Sequence, residues 1–599
     1  MKKTYRFNDI LPILIIIVSL LDFIACWDYF SDPFFKGLSL FNHLCASIYL
    51  TLKLFTMSVT VNEAIVPVLL NILRFISPLL LASAILNYFF IKTKKYWTYL
   101  IVRLCFRNHI IFCGLSDSAI LLINDFLKKD KDCKIIVIEN DETKILNHIF
   151  DKKHVKLING NSLDFSILKK SKIFKAKTVF ALNDIDKNNI SIANVIQDLH
   201  IKYPRKNKNI LNVIIHLSDF YNTRIFKNFQ EKKIPNLDIH AFNIYQKSAA
   251  FIVDKYSPDL YKPISDGDDF SPNILVHGLD ICGESIIVEA AHLYHFANLR
   301  KTKITVVDTD IITKKHLLLK KYPFIAEVVE IEFYEEVEFF NTFFISPDNI
   351  SVCIIGDRND AESILIARRY RQVFFDKNLE NNKNADANTI LLSEPIIVIN
   401  LSKTPDILNL FGNISSTTKK LNIHIENMFD NVCTKKLLAD DNEEVDDIAK
   451  QLHNTYLNLN TRELEKSWEN LTDEVKDFNR HPARHIAIKL RYLGAELVDN
   501  KVEKPDFDYD KISDEQKKTL ARMEHERWNA EKLLTGFVPG KVGLEKDFYK
   551  LLKENLKWHK DIRPWEELTK NDKDKDEMLN KLKEVTSNLK YRKTIYRNI

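Results

Sequence analysis

The sequence predicts a multidomain protein with transmembrane helices at the N-terminus, two doubly wound α/β domains in series, and an all-α domain at the C-terminus. Three observations lead to this prediction. Long apolar runs are confined to the first hundred residues, short strands then alternate with helices twice over, and the strand pattern ends near residue 440. With 599 residues the chain exceeds a single core, and we place the domains at 1–100, 104–258, 268–435 and 440–599.

Composition excludes several classes of protein. The net charge is only +5, with 86 Lys and Arg against 81 Asp and Glu, so we expect no nucleic-acid partner. A hydrophobic content of 46% excludes a mostly disordered chain. The 8 cysteines are far apart and form no C-x-x-C pair, so neither a metal site nor a redox motif is expected.

The N-terminal region contains two runs that predict membrane spans. Residues 10–27 read ILPILIIIVSLLDFIACW, and FISPLLLASAILNYFFI follows Arg74. A secretory signal would also begin with basic residues, but no small-residue cleavage site follows the first run, which favours an anchor. Because basic residues precede the first run and follow the second, the number of crossings is even and most of the chain is cytosolic. We expect a multi-pass protein of the bacterial inner membrane.

Between these runs, residues 37–57 (GLSLFNHLCASIYLTLKLFTM) are apolar but contain several polar groups, which predicts a re-entrant or interfacial segment. Outer helix, pore helix and inner helix follow one another in this way in a two-span ion channel. The stretch at the position of a filter, TMSVTVNE at residues 56–63, has no glycine. A potassium filter of the TVGYG kind is therefore not supported, whereas a pore of another kind stays open.

The first α/β domain is predicted from strands at residues 109–114, 134–139, 155–160, 178–184, 212–217 and 238–243. Its first turn, G-L-S-D-S-A, provides Gly114 and Ser116 where a pyrophosphate approaches the start of a helix. Glu139 ends the second strand, at the position of the acid that binds a ribose. Only the first of three fingerprint glycines is present, so a sheet kept for packing and dimerisation is the alternative.

The second α/β domain repeats this layout in PNILVHGLDICGESIIVEAAHL, residues 272–293, followed by strands at 303–310, 351–357, 395–401 and 422–427. Gly278 and Gly283 are the fingerprint glycines, and Asp308 ends the second strand. Asp280 occupies the middle position. A carboxylate there would repel a phosphate unless a cation lay between them.

These residues support a family resemblance. NHIIFCGL, KIIVIENDETK, VKLINGNSLDFSILKKSKIFKAKTVFALNDIDKNN and NIYQKSAAFIVDKY together resemble a TrkA-N or RCK domain, the cytosolic regulatory fold of potassium channels and uptake systems. The resemblance covers residues 108–256 and, more weakly, 272–433. It implies a Rossmann-like fold that binds NAD, ATP or a cyclic or signalling nucleotide, and a ring of eight domains, hence a homotetramer. Asn161 in NGNS stands where the family has aspartate.

The C-terminal region contains an internal repeat. IAKQLHNTY (residues 448–456) and LARMEHERW (520–528) share the frame A-x-x-x-H-x-x-aromatic, and WENLTDEVKDFN (468–479) matches WEELTKNDKDKD (565–576) at six positions. Two helical hairpins of common plan are the natural interpretation. A pocket between them could bind a small ligand on aromatic rings, with basic groups for phosphates. The candidate residues are Trp468, Arg480, Arg484, His525, Trp528 and Trp565. The alternative for the basic residues is a solvated helix surface.

RMEHERWNAEKLLTGF, HKDIRPWEEL and NRHPARHIAIKL resemble the RyR domain, which is named for the ryanodine receptors and is also fused to bacterial proteins. The resemblance spans most of residues 445–585. Bacterial fusions of membrane spans, TrkA-N and RyR modules look like sensors or effectors of stress and anti-phage systems, which is what the resemblance implies here.

Three functions fit the sequence. The first is a ligand-gated membrane protein of channel type, with a lipid bilayer, a nucleotide-like ligand and an inorganic ion as partners. The second is a membrane-tethered signalling module without a pore, or a regulatory component of potassium transport. The third is a nicotinamide enzyme, which is disfavoured because no substrate domain carries a positioned acid–base residue. We therefore expect no catalytic residues.

Overall fold

The computed structural model describes residues 7–147, 153–204, 209–219, 234–342, 350–356, 360–381, 395–401, 422–434, 443–459, 473–541, 543–570, 579–589 and 592–597, with a few single residues between these ranges. The chain forms two compact units, Met1–Phe106 and Arg107–Ile599.

The N-terminal unit contains three helices: α1 (Phe7–Phe30), α2 (Leu40–Phe55) and α3 (Val68–Cys105). By length and composition, Leu11–Phe30 and Val68–Phe89 are able to cross a membrane, whereas α2 is shorter. The three helices share an apolar core that includes Val18, Leu54 and Leu73. Residues 56–67, between α2 and α3, are not helical. The structure thus contains the two predicted long apolar helices and a shorter helix between them.

The first sheet has six parallel strands in the order β3-β2-β1-β4-β5-β6. This order reverses between β1 and β4, and in doubly wound sheets the crevice at such a reversal binds the ligand. In chain order the elements are β1 (Ile110–Cys113), α4 (Asp117–Lys129), β2 (Ile135–Glu139), α5 (Glu142–Asn147), β3 (Val155–Asn159), α6 (Phe165–Lys170), β4 (Thr178–Ala181), α7 (Asp186–Lys202), β5 (Leu211–His216), β6 (Leu237–Phe242) and α8 (Ile244–Lys255).

The second sheet is also parallel, in the order β12-β11-β10-β7-β8-β9, so its reversal lies between β7 and β10. The predicted strands of both sheets are present, and β9 is an additional strand. In chain order the elements are β7 (Asn273–His277), α9 (Ile281–Leu293), β8 (Lys303–Asp308), α10 (Ile311–Lys321), α11 (Ile325–Val328), β9 (Glu330–Glu335), α12 (Glu336–Thr342), β10 (Val352–Ile355), α13 (Asp360–Asn381), β11 (Ile396–Leu401), β12 (Ile423–Asn427) and α14 (Met428–Val432).

The C-terminal region is mostly helical, but the prediction of an all-α domain is wrong. Two short strand pairs are present: β13 pairs antiparallel with β16, and β14 pairs parallel with β15. In chain order the elements are α15 (Glu443–Leu459), α16 (Asp473–Tyr492), β13 (Ala495–Asp499), α17 (Asp514–Leu534), β14 (Val538–Pro539), α18 (Lys546–Leu556), β15 (Trp558–His559), α19 (Leu579–Ser587) and β16 (Arg592–Tyr596).

The internal repeat is visible in this order. Each half contains a helix, a tryptophan turn, a second helix and a strand in this order, and the second half has β14, α18 and β15 inserted before its tryptophan turn. The two strands, β13 and β16, pair. The equivalent histidine and tryptophan also meet in both halves: the ring centroids of His453 and Trp468 are 6.2 Å apart, and those of His525 and Trp565 are 5.7 Å apart. The two contacts have nearly the same interplanar angle, 60° and 64°. The sequence repeat therefore corresponds to a structural repeat.

The C-terminal region shares its core with the second sheet. One contiguous cluster of buried side chains includes Ile274 on β7, Ile286 on α9, Ile486 on α16 and Val585 on α19. Because apolar burial is the main stabilising contribution to folding, these elements depend on one another for stability.

Candidate functional site

The turn between β1 and α4 lies at the reversal of the first sheet. Gly114 has a φ of +96°, a conformation that favours glycine, and its backbone N–H donates to the Ile138 carbonyl at 2.9 Å. Ser116 caps α4, since its Oγ accepts a hydrogen bond from the backbone N–H of Ala119 at 3.3 Å. The cap is an uncharged hydroxyl, and the carboxylate of Asp117 in the first turn is exposed to solvent. The backbone N–H groups at the helix N-terminus carry a partial positive charge, which suits an anionic group.

Glu139 ends β2 and lies at this turn with 7% of its surface exposed. Its Oε2 accepts from the backbone N–H of Leu115 at 2.8 Å, and its Oε1 accepts from Asn140 at 2.8 Å and Asp141 at 3.0 Å. A carboxylate offers about four acceptor positions. Within the described part of the chain, one position on Oε2 is thus left for another donor, such as a ribose hydroxyl.

Two asparagines border the crevice on the β4 side. Asn183 donates from Nδ2 to the Cys113 carbonyl at 3.2 Å, and Asn189 donates from Nδ2 to the His216 carbonyl at 2.8 Å. A Cβ at Gly114 would lie 2.4 Å from Oδ1 of Asn183, so a larger residue at Gly114 would displace this amide. The sequence pattern did not identify these asparagines, because they become neighbours of the turn only through strand order.

Asn161 follows β3 and is exposed. Its Oδ1 accepts a hydrogen bond from the backbone N–H of Leu163 at 2.9 Å, so it shapes its own loop. None of its hydrogen bonds in the described residues connects it to Gly114 or Glu139.

The equivalent turn of the second sheet has a different electrostatic arrangement. Gly278 has a φ of +92°, and a Cβ at Gly283 would lie 1.9 Å from the Gly278 carbonyl oxygen. Asp280 caps α9: its Oδ1 accepts from the Gly283 N–H at 2.9 Å. The negative charge that was expected to repel a phosphate thus occupies the helix N-terminus itself.

Asp308, at the end of β8, is fully buried and saturated with donors. Its Oδ2 accepts from the backbone N–H of Leu279 at 2.7 Å, and its Oδ1 accepts from that of Asp310 at 2.8 Å. Lys314 donates to both oxygens, at 3.0 and 2.8 Å. All four acceptor positions are occupied. In the second domain the acid has no free acceptor position and the helix cap is a carboxylate. In the first domain the acid keeps one acceptor position and the helix cap is neutral.

Residues 110–230 match the TrkA-N domain. Similar solved structures include GsuK bound to ADP (13% identity, TM-score 0.37, covering 72% of this chain and 100% of that one) and the GsuK channel bound to NAD (11%, 0.37, 72% and 84%). A third is the human SLO3 gating ring (10% identity, TM-score 0.36, covering 55% of this chain and 82% of that one). No curated protein sequence matches the chain.

The three tryptophans of the C-terminal region do not converge on one pocket floor. Trp468 contacts His453, whereas Trp528 and Trp565 both contact His525, with Trp528 at a centroid distance of 6.2 Å. His525 donates from Nε2 to the Arg563 carbonyl at 2.8 Å. The structure thus joins His525, Trp528 and Trp565 but places Trp468 in the other half of the repeat.

The basic residues proposed to bind phosphate are occupied by carboxylates. Arg480 makes a two-pronged ion pair with Asp446, at 2.6 and 2.9 Å. Arg484 contacts Asp254 of α8 at 3.0 Å and Glu289 of α9 at 2.5 Å. Arg484 therefore joins α16 to the α/β elements and does not lie on a solvated surface, whereas the side chain of Arg480 is 30% exposed.

A second buried cluster joins α16 to α17. Lys489 is fully buried and donates to Glu524 Oε2 at 2.5 Å, while Arg527 donates to Glu524 Oε1 at 2.8 Å. Burial alone would raise the pKa of Glu524, but Arg527 and Lys489 outweigh it and hold the pKa well below its usual value. These ionised groups stabilise one another and are not available to an external ligand.

Histidines at this junction make the fold sensitive to acid. Burial lowers the pKa of His295 from 6.5 to about 4, and it also holds the pKa values of His292 and His485 well below 6.5. These groups stay neutral in the folded chain but take up protons in the unfolded chain below about pH 6.5. We expect the stability of the full chain in detergent to fall between about pH 6.5 and pH 4, by about 1.4 kcal/mol per pH unit for each histidine. Thermal unfolding as a function of pH measures this slope, and a flat profile would contradict it.

A small polar cleft lies between the two α/β domains, and sequence reasoning did not find it. Lys321 crosses it, donating to Asp219 at 3.0 Å and to Glu284 at 2.9 Å. Burial alone would lower the pKa of Lys321, but Glu284 and Asp219 raise it above its usual value. The ion pairs therefore tie the loop after β5 to α9 and α10. Across the described residues, no group of three or more histidine, cysteine or acidic side chains is arranged to hold a metal ion.

Proposed function

We propose that this chain is a nucleotide-gated membrane protein of channel type, in which the first α/β domain binds the ligand and the N-terminal unit conducts an inorganic ion. The TrkA-N match at residues 110–230 supports a ligand-sensing regulatory role. The long apolar helices support the membrane part of the proposal. In this proposal the protein is a regulator without catalytic residues.

One observation carries the choice of site: Glu139 keeps an acceptor position, whereas Asp308 is saturated by Lys314 and two backbone donors. A nucleotide offers a ribose hydroxyl to the acid and a phosphate to the helix N-terminus. The cap of α4 is the neutral hydroxyl of Ser116, with Asp117 next to it facing solvent, whereas the cap of α9 is the carboxylate of Asp280, which repels a phosphate. The ligand therefore belongs to the first domain, and the second domain serves as a structural partner.

The ligand class is a ribonucleotide carrying at least one phosphate. NAD, ATP and cyclic or signalling nucleotides all have both groups. ADP and NAD, which the GsuK structures contain, are suitable first probes.

A short segment of chain connects the first α/β domain to the membrane helices. α3 continues past its apolar portion as one helix and ends at Cys105, and β1 begins at Ile110. A change in the first domain is therefore transmitted along α3 without a long flexible linker. The RCK resemblance implies eight domains in a ring, so the assembly in this proposal is a homotetramer in the bacterial inner membrane.

The RyR resemblance of the C-terminal region remains part of the proposal, together with the stress or anti-phage role that it implies. The repeat of helix, tryptophan turn, helix and strand supports two halves of common origin. The same resemblance motivates a test of ligand binding near His525, Trp528 and Trp565.

We expect Glu139→Gln to weaken binding of NAD or ADP by about 10-fold or more, because a charged acceptor to a hydroxyl contributes about 1.5–3 kcal/mol. Gly114→Val should abolish binding, since the new side chain would displace Asn183. Isothermal titration of the full chain in detergent measures both effects. Matched controls are Gly267→Val, where a Cβ has open space, and Glu142→Gln at the start of α5.

Ion flux from liposomes that contain the full chain then tests gating. The expected result is flux that rises with nucleotide and is lost in Gly114→Val. Nucleotide binding without any flux would favour the tethered signalling module. Unchanged binding in both site variants would place the ligand elsewhere.

A further inference from the structure

The segment between α2 and α3 has two unlike faces. Val59 and Val61 pack against the apolar core of the three helices, together with Ile65 and Val66. Alternate side chains point away from that core and are exposed: Ser58, Thr60 and Asn62, preceded by exposed Thr56. A period of two is typical of an extended chain. The alternation therefore places the polar side chains in one row, which we name the hydroxyl row.

Both ends of the hydroxyl row are attached to the helices. At one end Thr56 caps α2, with its backbone N–H donating to the Lys53 carbonyl at 3.1 Å. At the other end the Asn62 N–H donates to the Tyr29 hydroxyl, at 2.9 Å, in the last turn of α1. The row thus starts at the end of α2 and returns to the end of a helix that is long enough to cross a membrane.

Lipid is an unsuitable neighbour for this row. Non-helical backbone at membrane depth is tolerated only where it is buried in protein or lines water, because lipid satisfies no hydrogen bond. One face of the segment is covered by the helices, through Val59 and Val61. The other face carries hydroxyl and amide groups, which are compatible with water and ions.

The oxygen atoms of the row, rather than a net charge around it, favour a cation. The C-terminal end of α2 carries the negative end of the helix dipole and meets the row at Thr56, while Lys53 lies in the same last turn. Glu63 follows the row and forms an ion pair with Arg74 at 2.8 Å, so this pair has no net charge.

The segment differs from a carbonyl filter in its backbone. A filter of that kind uses glycines to turn successive carbonyls toward the ion. Residues 56–63 contain no glycine, and Met57 is the one residue of this stretch with a positive φ, +56°. The row presents exposed side-chain oxygens: the Thr60 hydroxyl, the Ser58 hydroxyl, which hydrogen-bonds to that of Thr56 at 2.7 Å, and the Asn62 amide oxygen, which also accepts from the Ala64 N–H at 3.2 Å.

We propose that Ser58, Thr60 and Asn62, one set from each chain of the assembly, form the wall of the ion path and contact a partly hydrated inorganic cation through side-chain oxygens. This inference rests on the proposed channel function and specifies its conducting surface and the class of ion. Ions that keep part of their water are accommodated by hydroxyl groups without a rigid cage.

The test is thiol accessibility in liposomes that contain the full chain. Exposed Cys45 and Cys105 are first replaced by serine, while buried Cys26 is kept. Ser58→Cys and Thr60→Cys are then compared with Val59→Cys and Val61→Cys, which serve as matched controls one residue away. A charged methanethiosulfonate reagent should label the first pair about 10-fold faster than the second, as the exposure of the row requires. Labelling should also reduce cation flux by about 10-fold.

A second variant avoids both thiol chemistry and misfolding. Thr60→Val keeps the shape of the side chain but removes its oxygen, so we expect cation flux to fall while the protein elutes as the same assembly. Equal labelling at all four positions, unchanged flux in Thr60→Val, or a preference for anions would each overturn the inference. The proposed channel function would still hold in these cases if the protein conducts ions in response to nucleotide. If the unmodified protein conducts no ion, the proposed channel function fails and the ion path with it.

Discussion

Replacing Glu524 by glutamine is expected to lower the free energy of unfolding by about 3–5 kcal/mol, since removing one partner of a buried ion pair leaves a charge without compensation. Lys489 and Arg527 both depend on this carboxylate, and both are buried. The loss should appear as a lower midpoint of thermal unfolding for the full chain in detergent.

Glu515→Gln is the matched control for this prediction. It lies on the same helix, but its side chain is 75% exposed and its ion pair with Lys518 is 4.0 Å long. Exposed pairs contribute about 0–1 kcal/mol, so this variant should unfold close to the unmodified chain. Equal midpoints for Glu524→Gln and Glu515→Gln would show that the buried cluster does not stabilise the junction.

Gly283→Ala is expected to destabilise the second α/β domain by about 3 kcal/mol. The added Cβ would lie 1.9 Å from the Gly278 carbonyl oxygen, and this neighbour is backbone that cannot rotate away. Overpacking a well-packed site typically costs about 1–3 kcal/mol, and a backbone clash lies at the upper end. Limited proteolysis of the full chain should show cleavage within residues 272–433 well before the first domain is cut.

Gly267→Ala provides the control for this glycine. A Cβ there has nothing within 4 Å, so its effect should be within about 0.5 kcal/mol. If Gly283→Ala resisted proteolysis as well as Gly267→Ala does, α9 would not need the close approach to β7 that the structure shows.

Most of the α/β architecture could be predicted from the sequence, because parallel strands buried on both faces are continuous apolar runs. IIFC in β1 and IIVIE in β2 are examples, and both are fully buried. β9 has the sequence EIEFYE, in which acids alternate with apolar residues at the sheet edge. β9 was not predicted because an edge strand is half exposed, and its charged residues interrupt the apolar run that identifies a buried strand.

Whether the acid of each candidate site is free to bind a ligand could not be predicted in the same way. Glu139 and Asp308 occupy equivalent positions in the sequence, and their difference depends on Lys314 in α10. This lysine follows Asp308 by 6 residues, which is a signal that the sequence did contain. Arg480 and Arg484 gave no such signal, because three of their partners, Asp446, Asp254 and Glu289, are distant in sequence and meet them only after folding.

The pairing of β13 with β16 has a consequence for biosynthesis. β13 pairs antiparallel with β16, Arg592–Tyr596, which lies on the far side of α17, α18 and α19 in the sequence. During synthesis β13 therefore leaves the ribosome well before its partner strand does. The C-terminal repeat, and the core that it shares with the second sheet, are completed only after residues 592–596 have emerged from the exit tunnel.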